Sequence, residues 1–143
     1  EYYSPNLQAL QYLLRSRGFF KGTVNGLSGQ KTTASIKAFQ RAKHLPITGI
    51  ARQRELQLLV VPLQPGAKGD QVRAAQILAR AAYGADGDCP NLGLEMDGYY
   101  GAETEEAIRR AQKGLNQEST LLTVNGIMMT RTWCLLMNGR VSQ

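Results

Sequence analysis

Apolar residues recur along this chain at helical spacing, in short blocks separated by Gly, Pro and Asx turns. Leu7, Leu10, Leu13 and Leu14 share one helix face, and the block stops before Gly18. Gly22 and Asn25-Gly26 then signal a turn. A second helix is expected after Gly29, with Ile36, Phe39 and Ala42 on one face; His44-Leu45-Pro46 breaks it. Leu56, Leu59 and Val60 mark a short third helix. The later half reads the same way. Val72, Ala75 and Leu78 form one stripe, Ala107, Ile108, Ala111 and Leu115 a second, and Trp133, Leu136 and Met137 a third. Strand-type alternation is scarce, so the expected class is all-α with long loops.

The two halves are copies of each other. Asn25-Gly26-x-x-Gly29-x-x-Thr32-x-x-Ser35-Ile36-x-x-Phe39-Gln40 matches Asp97-Gly98-x-x-Gly101-x-x-Thr104-x-x-Ala107-Ile108-x-x-Ala111-Gln112 without a gap. Leu10-Gln11 and Leu13 align with Ala75-Gln76 and Leu78, and Gly49-Ile50 aligns with Gly126-Ile127. The offsets grow along the chain, placing insertions in the second copy near 84–93 and 115–121. The expected units are residues 1–62 and 70–140, joined by a Pro/Gly-rich connector at 63–69 and packed through their apolar faces. The expected cores are Leu10, Leu14, Ile36, Phe39, Leu56 and Leu59 in the first unit. In the second they are Ala75, Leu78, Ile108, Ala111, Trp133 and Leu136.

Composition narrows the function. No apolar run approaches the roughly 18–20 residues of a membrane-spanning helix. The opening Glu1-Tyr2-Tyr3-Ser4-Pro5 fits a processed or trimmed N-terminus. The net charge of +6 is uneven: residues 1–65 hold nine Lys/Arg against two Glu, residues 66–143 eight against nine acids. Such a basic half suits an anionic polymer, or is simply a solvated surface. Its cations are dispersed and lack interleaved aromatics, which argues against nucleic acid.

Candidate chemistry is sparse. One histidine, His44, gives no triad, and two cysteines give no zinc site; no cofactor motif is present. Glu103, Glu105 and Glu106 could suggest a glycosidase carboxylate pair, but Glu105–Arg109 and Glu106–Arg110 read as ion pairs on a helix surface. Neither a catalytic nor a metal-ligating residue is assigned. Tyr99 and Tyr100 cannot both enter a small core, so one ring is expected at the surface, where it can stack on a sugar or a peptide.

The second copy carries Gly66-x-x-Gly69-Asp70-x-Val72-x-x-Ala75-Gln76. It continues with Asp97-Gly98-Tyr99-Tyr100-Gly101-x-x-Thr104-x-x-Ala107-Ile108-x-x-x-Gln112 and Asn125-Gly126-Ile127-x-x-x-Arg131-Thr132-Trp133-x-x-Leu136. This series resembles peptidoglycan-binding domain family 1. The first copy has the same skeleton with Asn25 for Asp, Leu27-Ser28 in place of the aromatic, and no Trp at Leu56.

The resemblance implies two tandem three-helix bundles that bind bacterial peptidoglycan, glycan strand or stem peptide. It implies a secreted, extracellular, cell-wall-associated monomer serving as a non-catalytic targeting part of a wall-hydrolase system. Two other readings stand beside it: a wall hydrolase with unrecognised carboxylates, and a protease-inhibitory or protein-interaction module. The candidate ligand residues are Asp97, Tyr99, Tyr100, Asn125 and Arg131. A Cys89–Cys134 disulfide would pin the insertion at 84–93 to the last helix; the alternative is two free thiols.

Overall fold

The computed structural model describes residues 5–27, 29–84, 97–116 and 124–138, without the side chains of 81–84, 115, 116, 134, 135 and 138. Among the described residues there are six helices and no strand. They are α1 (Pro5–Ser16), α2 (Gln30–Ala42), α3 (Gln53–Leu59), α4 (Asp70–Gly84), α5 (Ala102–Asn116) and α6 (Thr130–Asn138). The positions match the six apolar blocks. Cys89 and the Cys134 side chain lie outside the described residues, as does most of each insertion expected near 84–93 and 115–121.

All twelve expected core residues are buried. They do not form two separate cores: one continuous apolar cluster runs through both halves. Its centre is the packing of α1 on α4, where Ala9, Leu10, Leu13 and Leu14 belong to the same cluster as Val72, Ala74, Ala75 and Leu78. Alanines on α4 carry little bulk, which favours close helix approach. An ion pair clamps one end of this contact, Arg15 Nε and Nη2 reaching Asp70 Oδ2 and Oδ1 at 2.8 and 3.1 Å. Asn6 Nδ2 donates to the Met137 carbonyl at 2.8 Å, tying α1 to α6.

Two helix ends show the same local chemistry with different residues. α1 closes with Gly18 N–H on Arg15 O and Phe19 N–H on Leu14 O, and Gly18 has φ +85°. α2 closes with His44 N–H on Arg41 O and Leu45 N–H on Gln40 O. Both are Schellman ends. His44 takes the left-handed position at φ +59°, where a side chain is strained. The imidazole is exposed, as expected for a residue that ends a helix.

The connector is more than a spacer. Leu63 exchanges both backbone hydrogen bonds with Met128, at 2.7 and 2.8 Å. Residues 66–69 run antiparallel to 98–100, through Gly66 N–H on Tyr100 O, Tyr100 N–H on Ala67 O and Gly69 N–H on Gly98 O. Trp133 is fully buried and its indole N–H donates to the Val61 carbonyl at 2.7 Å. The segment from Val61 to Gly69 is thus sewn onto the later half at three points.

Candidate functional site

Four turns share one construction, each organised by a buried glutamine on the preceding helix. Gln11 accepts from Asn25 N–H and Gly26 N–H, and donates toward Asn25 Oδ1, Leu27 O and Thr32 Oγ1. Gln40 does the same with Thr48 N–H, Gly49 N–H, Thr48 Oγ1, Ile50 O and Glu55 Oε2. Gln76 accepts from Gly98 N–H and donates toward Asp97 Oδ1, Tyr99 O and Thr104 Oγ1. Gln112 engages Asn125, Gly126, Ile127 and Thr132 in the same pattern. All four amides are at most 1% exposed. The glycines share one left-handed conformation, Gly26 at +73°, Gly49 at +77°, Gly98 at +77° and Gly126 at +76°. A primary amide suits the task because it both donates and accepts, satisfying N–H and C=O groups of a turn that has no strand partner. The last partner is always the third residue of the next helix, so each glutamine also fixes where that helix starts.

Sequence reading placed these glutamines in the repeat but gave them no role. Asn25-Gly26 and Asp97-Gly98 are turns, as expected, and their side-chain oxygens accept from the N–H two residues on, in Leu27 and Tyr99.

The candidate ligand residues fall on the turns before α5 and α6 and on the first turn of α6. Tyr99 is 49% exposed, with its ring beside Gly101 and the Lys68 ammonium 6.0 Å from the ring centroid. Tyr100 is fully buried, so it is corrected out of the ligand set. Its hydroxyl donates to the Gly126 carbonyl, joining the turn before α5 to the turn before α6. Burial, and then the nearby Glu105 carboxylate, raise its phenol well above the usual range.

Asp97 is exposed, and Oδ1 takes the hydrogen bonds from Tyr99 N–H and Gln76 at 3.0 Å each. Those two bonds hold its carboxyl below the usual carboxylate range, so it is an anion at neutral pH. Asn125 is exposed; its Oδ1 is committed to Ile127 N–H at 3.0 Å. Arg131 is exposed on α6 and makes no ion pair with a described residue.

Two cations missed by sequence reading join this surface. Lys68 faces Tyr99, and the Arg73 guanidinium lies so close to Gly98 that a Cβ there would come within 3.0 Å of its carbon. Arg73 also bonds Asp70 at 3.0 Å. Its signal was available: it follows the Gly69-Asp70 motif by three residues, one turn into α4.

Glu105 and Glu106 are engaged as ion pairs. Arg109 reaches Glu105 at 3.2 Å and Glu106 at 2.7 Å, and Arg110 reaches Glu106 at 2.8 Å. The bonds from Arg110 and Arg109 hold Glu106 below the usual range. Among the described residues no group of three His, Cys, Asp or Glu could hold a metal ion, and no helix is long and apolar enough to cross a membrane.

A stretch of 67 residues, 47% of the chain, is 34% identical to a protein of Nostoc punctiforme named "Putative OxPP cycle protein OpcA". The match takes in 14% of that protein's length. No solved structure matches the chain. The family that does match falls on the first half, which departs from the motif at single positions but carries neither insertion. Residues 3–59, through the whole of α1, α2 and α3, match the family described as "Putative peptidoglycan binding domain".

Proposed function

We propose that the chain is a non-catalytic peptidoglycan-binding module of two tandem three-helix units, 1–62 and 70–140. The observation that carries this reading is the family match at residues 3–59, which makes cell-wall binding the expected role of the first unit. The extension to the second unit is supported by the recurrence of the glutamine-anchored turn in both halves, with the same partners. Two units on one chain gain avidity when both reach the polymer together.

The ligand surface in the second unit is Tyr99, Asp97, Asn125 and Arg131. Tyr99 offers an apolar face to a sugar ring or stem peptide. Asp97 and the Asn125 amide nitrogen suit hydroxyl groups, and Arg131 suits a stem carboxylate. Such a module works outside the cell as a monomer and needs no cofactor. A Cys89–Cys134 bond is consistent with that compartment, and a thiol count in denaturant decides it. Two free thiols per chain without reductant would exclude the bond.

The binding test is co-sedimentation with purified insoluble peptidoglycan. Depletion from the supernatant, weakened at least threefold in affinity by Tyr99→Ala with Arg131→Ala, supports the reading. Unchanged binding by that pair would move the site elsewhere. A turbidity assay on cell walls addresses the hydrolase alternative: clearing that is lost in Glu103→Gln or Glu106→Gln would overturn the non-catalytic assignment.

A further inference from the structure

The backbone sets Lys68 and Tyr99 side by side. Tyr100 N–H on Ala67 O and Gly69 N–H on Gly98 O, 2.9 Å each, bracket the two residues. Lys68 and Tyr99 therefore oppose each other as a non-hydrogen-bonded antiparallel pair, the closer of the two kinds, with both side chains on one face. That face looks outward. Lys68 is exposed and Tyr99 is 49% exposed, while Gly98 and Tyr100, on either side of Tyr99, are buried.

The ring is also seated from below. A Cβ on Gly101 would meet Tyr99 Cε2 at 3.0 Å and Cδ2 at 3.3 Å, so the bare backbone there leaves room for the ring. The Lys68 ammonium stands 6.0 Å from the ring centroid, at the outer limit of a cation–π contact. It makes no ion pair with a described residue, Asp97 included. Asp97 instead spends Oδ1 on Tyr99 N–H and Gln76. The first unit has Leu27 in the place of Tyr99, so this pairing of ring and cation is a property of the second unit.

That pairing selects between the two parts of the wall polymer. The hydroxyl and acetamido groups of the glycan are uncharged, whereas the stem peptides carry carboxylates. An ammonium is strongly hydrated. A neutral sugar laid on Tyr99 would strip part of that hydration and return no opposite charge. A stem peptide returns a carboxylate for the ammonium and an aliphatic side chain for the ring.

We propose that Lys68 is a specificity-determining residue of the second unit: it pairs with a stem-peptide carboxylate while the aliphatic part of the stem rests on Tyr99. This rests on the wall-binding reading and names the part of the wall that is read.

The test is co-sedimentation of the whole chain with insoluble peptidoglycan freed of phosphate polymers. The wall is used as it is and after carbodiimide amidation with ammonium chloride, which turns its carboxylates into primary amides. On the untreated wall Lys68→Gln should bind about fivefold more weakly, the upper end for one exposed ion pair. Lys68→Arg, which keeps the charge, should stay within about twofold of wild type. So should Lys113→Gln, which removes the same charge from an exposed position on α5. On the amidated wall the gap between wild type and Lys68→Gln should close. Circular-dichroism melts check that each variant is folded. Unchanged binding by Lys68→Gln, equal loss in Lys113→Gln, or a gap that persists on the amidated wall would overturn the proposal and leave the wall-binding reading standing. Full recovery of wild type in the supernatant over the untreated wall would overturn both.

Discussion

Gln76→Leu should destabilise the protein by about 2–3 kcal/mol, although leucine nearly fills the same volume. The wild-type amide is 1% exposed and serves both directions of the turn before α5. After substitution the buried Gly98 N–H loses its 3.1 Å acceptor, a loss of about 1–3 kcal/mol for a buried donor. The other groups are partly rescued. Thr104 Oγ1 still donates to Tyr99 O at 3.3 Å, and Asp97 Oδ1 still accepts from Tyr99 N–H. Because the volumes are similar, the cavity contribution stays small, and the melting temperature should fall by roughly 5–10 °C. Urea unfolding followed by the fluorescence of Trp133, the single tryptophan and fully buried, reads the change. Faster hydrogen exchange at the Gly98 amide should accompany it. A loss below about 0.5 kcal/mol with an unchanged m-value would refute the idea that the glutamine holds the turn.

Three further outcomes follow from local chemistry. His44→Gly should stabilise by about 0.5–1 kcal/mol in the same assay, because glycine takes the left-handed position at φ +59° without strain. Asp70→Asn should cost about 1 kcal/mol near pH 7 by breaking a partly exposed two-bond pair with Arg15. Arg15 holds the Asp70 carboxyl below its usual range, so the carboxylate's stabilisation is present above about pH 4. It is lost as pH falls through the lowered folded pKa, and the gap between wild type and Asn should close in an acid titration of stability. Tyr100→Phe should cost about 1–2 kcal/mol by leaving the Gly126 carbonyl unpaired, with Tyr99→Ala nearly neutral to stability and the variant that lowers wall binding.

The helices and the core were legible because apolar spacing is a direct record of burial. Leu10, Leu14, Ile36 and Phe39 show their period without help from the rest of the chain. The Glu105–Arg109 and Glu106–Arg110 pairs were legible for the same local reason. The glutamine anchors were not. The separation from glutamine to turn residue is 14 for Gln11, 8 for Gln40, 21 for Gln76 and 13 for Gln112, so no fixed offset displays it. A lone glutamine on a helix also looks like an ordinary solvated position. Tyr99 and Tyr100 were correctly split into one exposed and one buried ring, but their order depends on how the Gln76-held turn delivers the chain toward Gly126. The Pro/Gly signal at 63–69 falls between α3 and α4. It carried no record of Leu63 pairing with Met128 or of Val61 accepting from Trp133, since backbone partners distant in sequence leave no pattern in composition.

Co-sedimentation of the whole chain with purified insoluble peptidoglycan tests the central claim most directly. The account predicts that the protein leaves the supernatant in a saturable way and that Tyr99→Ala with Arg131→Ala weakens this at least threefold while the fold survives. Full recovery of the folded wild-type protein in the supernatant, across the range of wall concentrations, would contradict it.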